Sequence, residues 1–433
     1  MTDTAQPKPP RPVSAVSTGV GVAGMVGMLG WIVVARTYGM DGPYAALANV
    51  AACGVPMVLW SLLVDKVHRN PSTGIDWSAP KVGKDMLDTS LTKLCGLWAT
   101  WAIIGVIYCL GRWYWRGNFL FSMELLGASA PFLFVLSIPY VIWLDRYLKE
   151  PRDGAWHFGA YLMGQEGWNR TEIEHHARAW AVKGFFLAFM LGIVPGGYGQ
   201  VIRTPWSEIL LNPVTLTNWL ISFMFVIDVA FATVGYLLTM KPLDAHIRTA
   251  NPYMAGWVAA LICYPPFIMM GQGHPLDYHP NSAEWNYWMD GNFVLLSITG
   301  TMLVVLTAIY AWATVAFGLR FSNLTHRGIL SHGPYAWTKH PAYLSKNAFW
   351  WVSTLPFLAT SHSIVDMVRN TAILALVSGV YYWRAVTEEK HLGTDPAYQS
   401  YAAWMDQYAP VPRLFRWITG RRPVEKQDEV VAG

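Results

Sequence analysis

Charge is what this chain is short of. Only 13% of its 433 residues are Asp, Glu, Lys or Arg, while 53% are hydrophobic. A soluble domain carries about a quarter charged residues, so the deficit excludes an ordinary soluble fold. Cysteine is scarce as well. Cys53, Cys95, Cys109 and Cys263 all fall inside apolar runs, at no metal-ligand spacing. They read as small buried hydrophobes and imply neither disulfides nor zinc. The net charge is only +4, and no basic run mixed with stacking aromatics occurs away from the edges of the apolar segments. That argues against a nucleic-acid partner. Internal repeats and soluble domains are absent from the pattern. No segment reads as a cleavable signal peptide, because the first apolar run continues past the length of a short h-region and reads as a retained helix.

What is present is apolar and aromatic. The 23 Trp residues suit a protein whose rings collect at lipid headgroup level. Crossing a bilayer takes roughly 20 apolar residues, and runs of that length predict about ten spanning helices. They cover 14–36, 43–64, 91–111, 121–145, 182–201, 215–240, 252–271, 291–317, 342–360 and 365–386, with Lys346 and Asn347 interrupting the ninth. The expected fold is therefore all-α, a polytopic integral membrane protein.

Loop charges set an expected orientation. Lys66, Arg69, Lys81 and Lys84 follow the second run, and Arg146, Lys149 and Arg152 the fourth. Lys241 and Arg248 follow the sixth, Arg320, Arg327 and Lys339 the eighth, and Arg384, Lys390, Arg413 and Arg416 the tenth. The stretch from Gln272 to Asp290, on the other face, has no Lys or Arg. This bias predicts both termini in the cytoplasm, and the inner membrane if the source is bacterial. Arg36, Arg112, Arg116 and Arg203 break the pattern at helix ends, where long side chains snorkel.

Four regions are expected. Residues 1–13, with Pro7, Pro9, Pro10 and Pro12, predict a disordered N-terminal tail. Residues 14–290 form membrane helices of no assignable role, 291–418 a C-terminal membrane region that carries the motifs, and 419–433 a C-terminal tail. Within the last membrane region, Tyr398, Tyr401, Trp404, Met405 and Tyr408 predict a surface helix, either in the interface or packed on the protein's own face.

Two polar clusters stand at apolar edges. The first runs Gly333-Pro334-Tyr335-Ala336-Trp337-Thr338-Lys339-His340-Pro341-Ala342-Tyr343, and the second is Arg384-Ala385-Val386-Thr387-Glu388-Glu389. Polar groups placed there are expensive and mark a site by default. Pro341 suits the first turn of a helix, whose free N–H groups, with His340 and Lys339, make an electropositive pocket for a carboxylate or phosphate. Tyr335, Trp337 and Tyr343 offer faces to an adenine ring or a sulfonium cation. Arg384 and Glu388 share one helical face, so they read either as site residues or as an i,i+4 salt bridge. As site residues, Arg384 would hold a substrate carboxylate in a fork and Glu388 would accept ribose hydroxyls or an ammonium.

The order Gly333, Tyr335, Lys339-His340-Pro341, Tyr343, then Glu388-Glu389 and Leu392, then Tyr398, Tyr401 and Val411-Pro412 resembles the isoprenylcysteine carboxyl methyltransferase family over roughly residues 318–416. The resemblance implies an integral membrane enzyme that uses S-adenosylmethionine. It implies a cofactor pocket of Tyr335, His340, Pro341, Tyr343 and Glu388, completed by backbone from Arg327 to Leu330. It further implies a catalytic Arg384 that orients an acceptor carboxylate on a hydrophobic or lipid-linked substrate, with no metal. Lys339 stands where that pattern has Arg, which keeps the charge and loses a fork. The chain also resembles, more distantly, the sterol reductases, which would imply NADPH, but it lacks their Asn before Tyr343 and their Gly-Asp after Leu344. A non-catalytic membrane subunit of the same fold is a further alternative. So is a di-iron oxygenase, suggested by His175-His176 and by His274 with His279, although these fall on opposite predicted faces. Asp228, inside the sixth run, is a candidate polar wall for a substrate chamber.

Overall fold

The computed structural model describes residues 9–419. Helix α1 (Thr18–Tyr38) and α2 (Pro43–Leu59) form an antiparallel hairpin, with α2 running on as a wider turn over Trp60–Val64. Next come α3 (Lys84–Gly111), α4 (Leu120–Asp145), α5 (Gly154–Leu162), α6 (Arg170–Ile193) and the short α7 (Tyr198–Arg203) and α8 (Trp206–Ile209). Helix α9 (Pro213–Leu237) starts on a capping box, in which Asn212 accepts from the Thr215 amide and the Thr215 side chain accepts from the Asn212 amide. It is the most enclosed element, and Phe231, Ala232, Val234 and Tyr236 are almost fully buried against α2, α6 and α12.

The C-terminal half contains α10 (Met254–Leu261), α11 (Trp285–Trp288), α12 (Phe293–Phe317), α13 (Pro341–Thr354), α14 (Ile364–Leu392), α15 (Pro396–Tyr408) and α16 (Pro410–Thr419). A two-stranded antiparallel ribbon, β1 (Thr249–Ala250) with β2 (Thr325–His326), ties the end of α9 to the end of α12. Thr249 Oγ1 lies 2.9 Å from His391 Nε2, which brings the end of α14 to the same place.

Among the described residues, eight helices are long and apolar enough to cross a membrane: α1, α2, α3, α4, α6, α9, α12 and α14. The chain is thus an all-α polytopic membrane protein, and the count of about ten expected from apolar run length is not reached among the described residues. The seventh run, 252–271, contains only the 8-residue α10. It stops before Pro265 and Pro266, which cannot continue a helix. The ninth, 342–360, contains the 14-residue α13, which ends at Leu355 in a left-handed turn just before Pro356. Because the ribbon holds the ends of α9 and α12 together, residues 251–292 run from that end of the bundle to the other as α10, the short α11 and irregular chain. Irregular backbone at that depth needs partners within the protein. It has them: the Met269 amide donates to the Ile262 carbonyl (2.9 Å), and the Leu276 amide to the Met269 carbonyl (2.8 Å). At the far end Asn370 donates to the Pro280 carbonyl (2.8 Å).

Residues 1–8 of the expected disordered tail lie outside the described residues. Residues 9–13 depart from the expectation. Proline-rich chain forms no hydrogen bonds of its own, so its carbonyls are free to accept from neighbours. The Pro9 carbonyl takes one from Trp404 (3.1 Å), and the Pro12 carbonyl takes one from Ser331 (2.5 Å). Ser14 and Ala15 continue the strap onto His332 (2.7 Å) and Ile329 (2.8 Å). Of the expected C-terminal tail, Thr419 ends α16 and the rest lies outside the described residues. Helix α15 packs on the protein's own face through Tyr398, Tyr401 and Met405, whereas α16 exposes Leu414, Phe415, Trp417 and Ile418, as a helix in the membrane interface would.

Helices α3 and α5 meet backbone to backbone. A Cβ on Gly96 would stand 2.0 Å from the Ala155 carbonyl oxygen, and one on Gly159 would stand 1.9 Å from that of Thr92. Small residues at such crossings let helices touch. Gly159→Leu is expected to destabilise the protein by on the order of 3 kcal/mol, because main chain must move. A detergent melting curve unchanged by the substitution would contradict this packing.

Candidate functional site

The site is built where α13 begins and α14 ends. Pro341 occupies the first turn of α13, with its missing N–H in a position that has no intrahelical partner anyway. His340 precedes it in a non-helical conformation, so its ring swings towards α14. There Glu389 joins the two sequence clusters. Its Oε1 accepts from His340 Nε2 (2.9 Å) and its Oε2 from Lys339 Nζ (2.9 Å). Lys339 also lies 3.4 Å from Asp406 of α15. Burial lowers the affinity of the Lys339 amine for its proton, but Glu389 and Asp406 outweigh it and hold the amine above its ordinary value. The Tyr343 hydroxyl donates to Glu388, and His340 Nδ1 lies 3.9 Å from the same carboxylate. The His340 and Tyr343 rings stack nearly parallel, 5.6 Å between centres.

These groups line a cleft of about 1250 Å³, its open mouth included. Tyr335, His340, Tyr343, Arg384 and Glu388 all face it, as do residues from Arg327 to Leu330. Pro341 is buried at the helix start and does not line the cleft. Burial holds the Tyr335 phenol well above its ordinary value, so it stays a neutral hydroxyl, and its carbonyl accepts from Tyr401 (2.8 Å).

Arg384 is only 3% exposed. Its guanidinium lies 5.0 Å from the Tyr343 ring centre, 5.3 Å from that of Tyr381 and 5.7 Å from that of Tyr264. Nη2 donates a long bond to Asn323 Oδ1 (3.3 Å), and Nε is buried with no partner. The i,i+4 salt bridge to Glu388 that the spacing allowed is not formed, and no carboxylate among the described residues lies in ion-pair range of Arg384. A buried cation faced by rings and carrying an unused donor is suited to an incoming anion. The Tyr398 hydroxyl, at the other side of the cleft, is also buried without a partner.

The resemblance implied only main chain from Arg327 to Leu330 at a site, and the Arg327 side chain has a different task. Its guanidinium donates to the main-chain oxygens of Gly235 (2.9 Å), Phe321 (2.8 Å) and Leu319 (2.9 Å), and twice to Ala245. Burial, with Arg320 nearby, lowers its pKa to about 9. It clamps the loop, and its own carbonyl accepts from Arg320 (2.9 Å). Leu330 is likewise a core residue, packed with Leu319 and Val20.

Sequence reasoning missed much of the cleft wall. Tyr264, Tyr310 and Tyr381 come from three different segments; Tyr264 faces Arg384, whereas the Lys346 amine lies 5.4 Å from the Tyr310 ring centre, 5.8 Å from that of Tyr381 and 5.3 Å from that of Trp350. Lys346 was visible in the sequence as a cation interrupting an apolar run; nothing there marked the tyrosines. Asp228, the candidate polar wall, accepts from Thr314 (2.5 Å) behind this cluster. Of the histidines that suggested iron, His176 lies 2.8 Å from Thr100, whereas His279 pairs with Asp277 at 3.0 Å in the loop that touches the start of α14. Among the described residues no three His, Cys, Asp or Glu side chains converge on a metal position.

A protein-family model described as a protein of unknown function (DUF1295) matches residues 279–405. The match begins before α12 and ends within α15, so it covers both halves of the cleft. No curated protein and no solved structure matches the chain.

Proposed function

We propose that this chain is an integral membrane methyltransferase dependent on S-adenosylmethionine, acting on a lipid-like or membrane-embedded acceptor, with carboxylates in the acceptor class. The observation that carries the reading is Arg384: buried, without a counterion, and one helical turn from Glu388 in the same cleft. S-adenosylmethionine, when bound, supplies an electrophilic methyl group on a sulfonium. The residues suit that group. Tyr335, Tyr343 and Tyr398 offer ring faces to an adenine or a sulfonium. Glu388, held by Tyr343, is an acceptor for ribose hydroxyls or an ammonium.

The remaining work falls to this chain. A carboxylate is ionised at neutral pH, so no general base is required. Arg384 orients it, and the aromatic wall strips its water. Glu389 acts indirectly: it fixes Lys339 and His340, and so the wall they form. The NADPH-dependent reductase reading requires cations free to meet phosphates. Arg320 is bonded to Asp244 (2.8 Å), Arg327 to carbonyls and Lys339 to Glu389, whereas Arg384 and Lys346 line the cleft with no carboxylate partner among the described residues, so the cations do not separate the two readings; the lack of Asn before Tyr343 and of Gly-Asp after Leu344 is what favours methyl transfer. The loop-charge bias supports cytoplasmic termini and a cleft that opens to the cytoplasm, where a water-soluble cofactor meets a substrate arriving from the bilayer.

The test is cofactor affinity. His340→Ala removes a polar wall and Tyr343→Ala an aromatic one. Each is expected to weaken S-adenosylmethionine binding tenfold or more, roughly 1.4 kcal/mol. Equal calorimetric affinities for wild type and both variants in detergent would refute the pocket.

A further inference from the structure

A second cavity, of about 1590 Å³ with its mouth, lies on the other side of the β1–β2 ribbon from the cleft. Thr325 and His326 of β2 line the cleft, whereas Thr249 and Ala250 of β1 line this cavity. Its walls come from the end of α4, the starts of α5 and α6, Lys93 of α3 and the segment 239–250. Nothing in the proposed methyl transfer uses it.

Its charges do not cancel locally. Lys93 lies 2.6 Å from Asp145 and 2.9 Å from Asp153, so both aspartates are engaged by one amine. Asp153 also caps α5, accepting from the amides of Ala155 (3.2 Å) and Trp156 (3.4 Å). Lys241 is left with Asp153 at 4.0 Å, and burial lowers its pKa below the ordinary lysine value despite that carboxylate. Among the described residues Lys183 has no carboxylate in range. Its amine donates one bond, to Thr239 (2.6 Å), and sits 5.0 Å from the Trp180 ring centre. Glu172 lines the cavity but pairs with none of these amines. His246, held neutral by burial and by Lys241 with a pKa lowered to about 4, leaves Nδ1 buried and unpartnered. Arg248, 3.7 Å from Asp244, completes the basic side. An amine with unmet donors inside a membrane bundle is costly unless something answers it.

We propose that this cavity binds a phosphate-bearing anion, with Lys183 and Lys241 as its principal ligands and His246 and Arg248 beside them. Two amines and an arginine lining one cavity suit a group with several acceptor oxygens, and Lys241 and Arg248, in the segment after α9, stand where a lipid headgroup would. A phospholipid and a soluble phosphate compound would present the same chemistry there. This inference stands independently of the methyl-transfer reading.

The experiment uses the full chain purified in detergent, as wild type, as Lys241→Gln and as Lys183→Met combined with Lys241→Gln. Native mass spectrometry measures retention of phosphatidylglycerol against phosphatidylcholine, and a thermal-shift titration uses inorganic phosphate. Circular dichroism and size exclusion check that each variant folds. Wild type is expected to give a saturable response in one arm, weakened at least threefold in the single variant and tenfold in the double. Preferential retention of phosphatidylglycerol without a phosphate response assigns the site to a lipid headgroup; the reverse assigns it to a soluble anion. No response in either arm overturns the proposal, as does a response that the folded Lys241→Gln variant leaves unchanged.

Discussion

Replacing Arg384 by lysine is expected to lower turnover by about a hundredfold while leaving S-adenosylmethionine affinity nearly unchanged. Lysine keeps the charge. It loses the planar fork that faces Tyr343, Tyr381 and Tyr264, and it loses the unpartnered Nε donor. If Arg384 only balanced Glu388, the conservative change would be nearly silent. The geometry makes the two residues separable, because Glu388 is held by Tyr343 rather than by Arg384. Glu388→Gln should therefore lose cofactor affinity first and turnover second. Single-turnover rates and calorimetric affinities, measured on both variants with the true acceptor, distinguish these patterns. Normal turnover by Arg384→Lys would remove Arg384 from the chemistry.

Arg327→Met is expected to have the largest effect on stability, with little protein surviving extraction in folded form. The guanidinium satisfies carbonyls of Gly235, Ala245, Leu319 and Phe321, which belong to three segments: the end of α9, the loop after it and the turn after α12. Methionine fills the space but offers no donor. Four buried oxygens would then lose a charged partner, a loss on the order of 4 kcal/mol or more. Arg327→Lys should recover only part of it, since one amine cannot reach carbonyls arranged around a planar fork. Yield and melting temperature in detergent measure the effect. An Arg327→Met protein that is as stable as wild type, yet has lost cofactor affinity, would make the Arg327 side chain a ligand-binding group and not a clamp.

That contrast shows what the sequence could and could not say. The two clusters at 333–343 and 384–389 were legible because polar groups are rare at apolar edges and cannot be mistaken for core. Which carboxylate meets which partner was not. Spacing allowed Arg384 to pair with Glu388, but α13 approaches α14 so that Tyr343 reaches Glu388 and His340 with Lys339 reaches Glu389. A cation that clamps carbonyls carries no mark in one dimension, so the clamp made by the Arg327 side chain was not legible. The long helices were legible from run length alone. Helices α10 and α13 were overcalled because hydropathy does not separate a spanning helix from buried irregular chain, and only Pro265, Pro266 and Pro356 hinted at the stops. Tyr264, Tyr310 and Tyr381 each read as ordinary core within an apolar run, and their meeting in one cleft wall with Lys346 and Arg384 exists only in the tertiary structure.

The central claim is that the cleft between α13 and α14 takes S-adenosylmethionine. The most direct measurement is a side-by-side calorimetric titration of the detergent-purified full chain with S-adenosylmethionine and with NADPH. Saturable binding of S-adenosylmethionine is expected, weakened tenfold or more in Glu388→Gln, with no competition from NADPH. Saturable NADPH binding that the same substitution weakens, with no binding of S-adenosylmethionine, would contradict it.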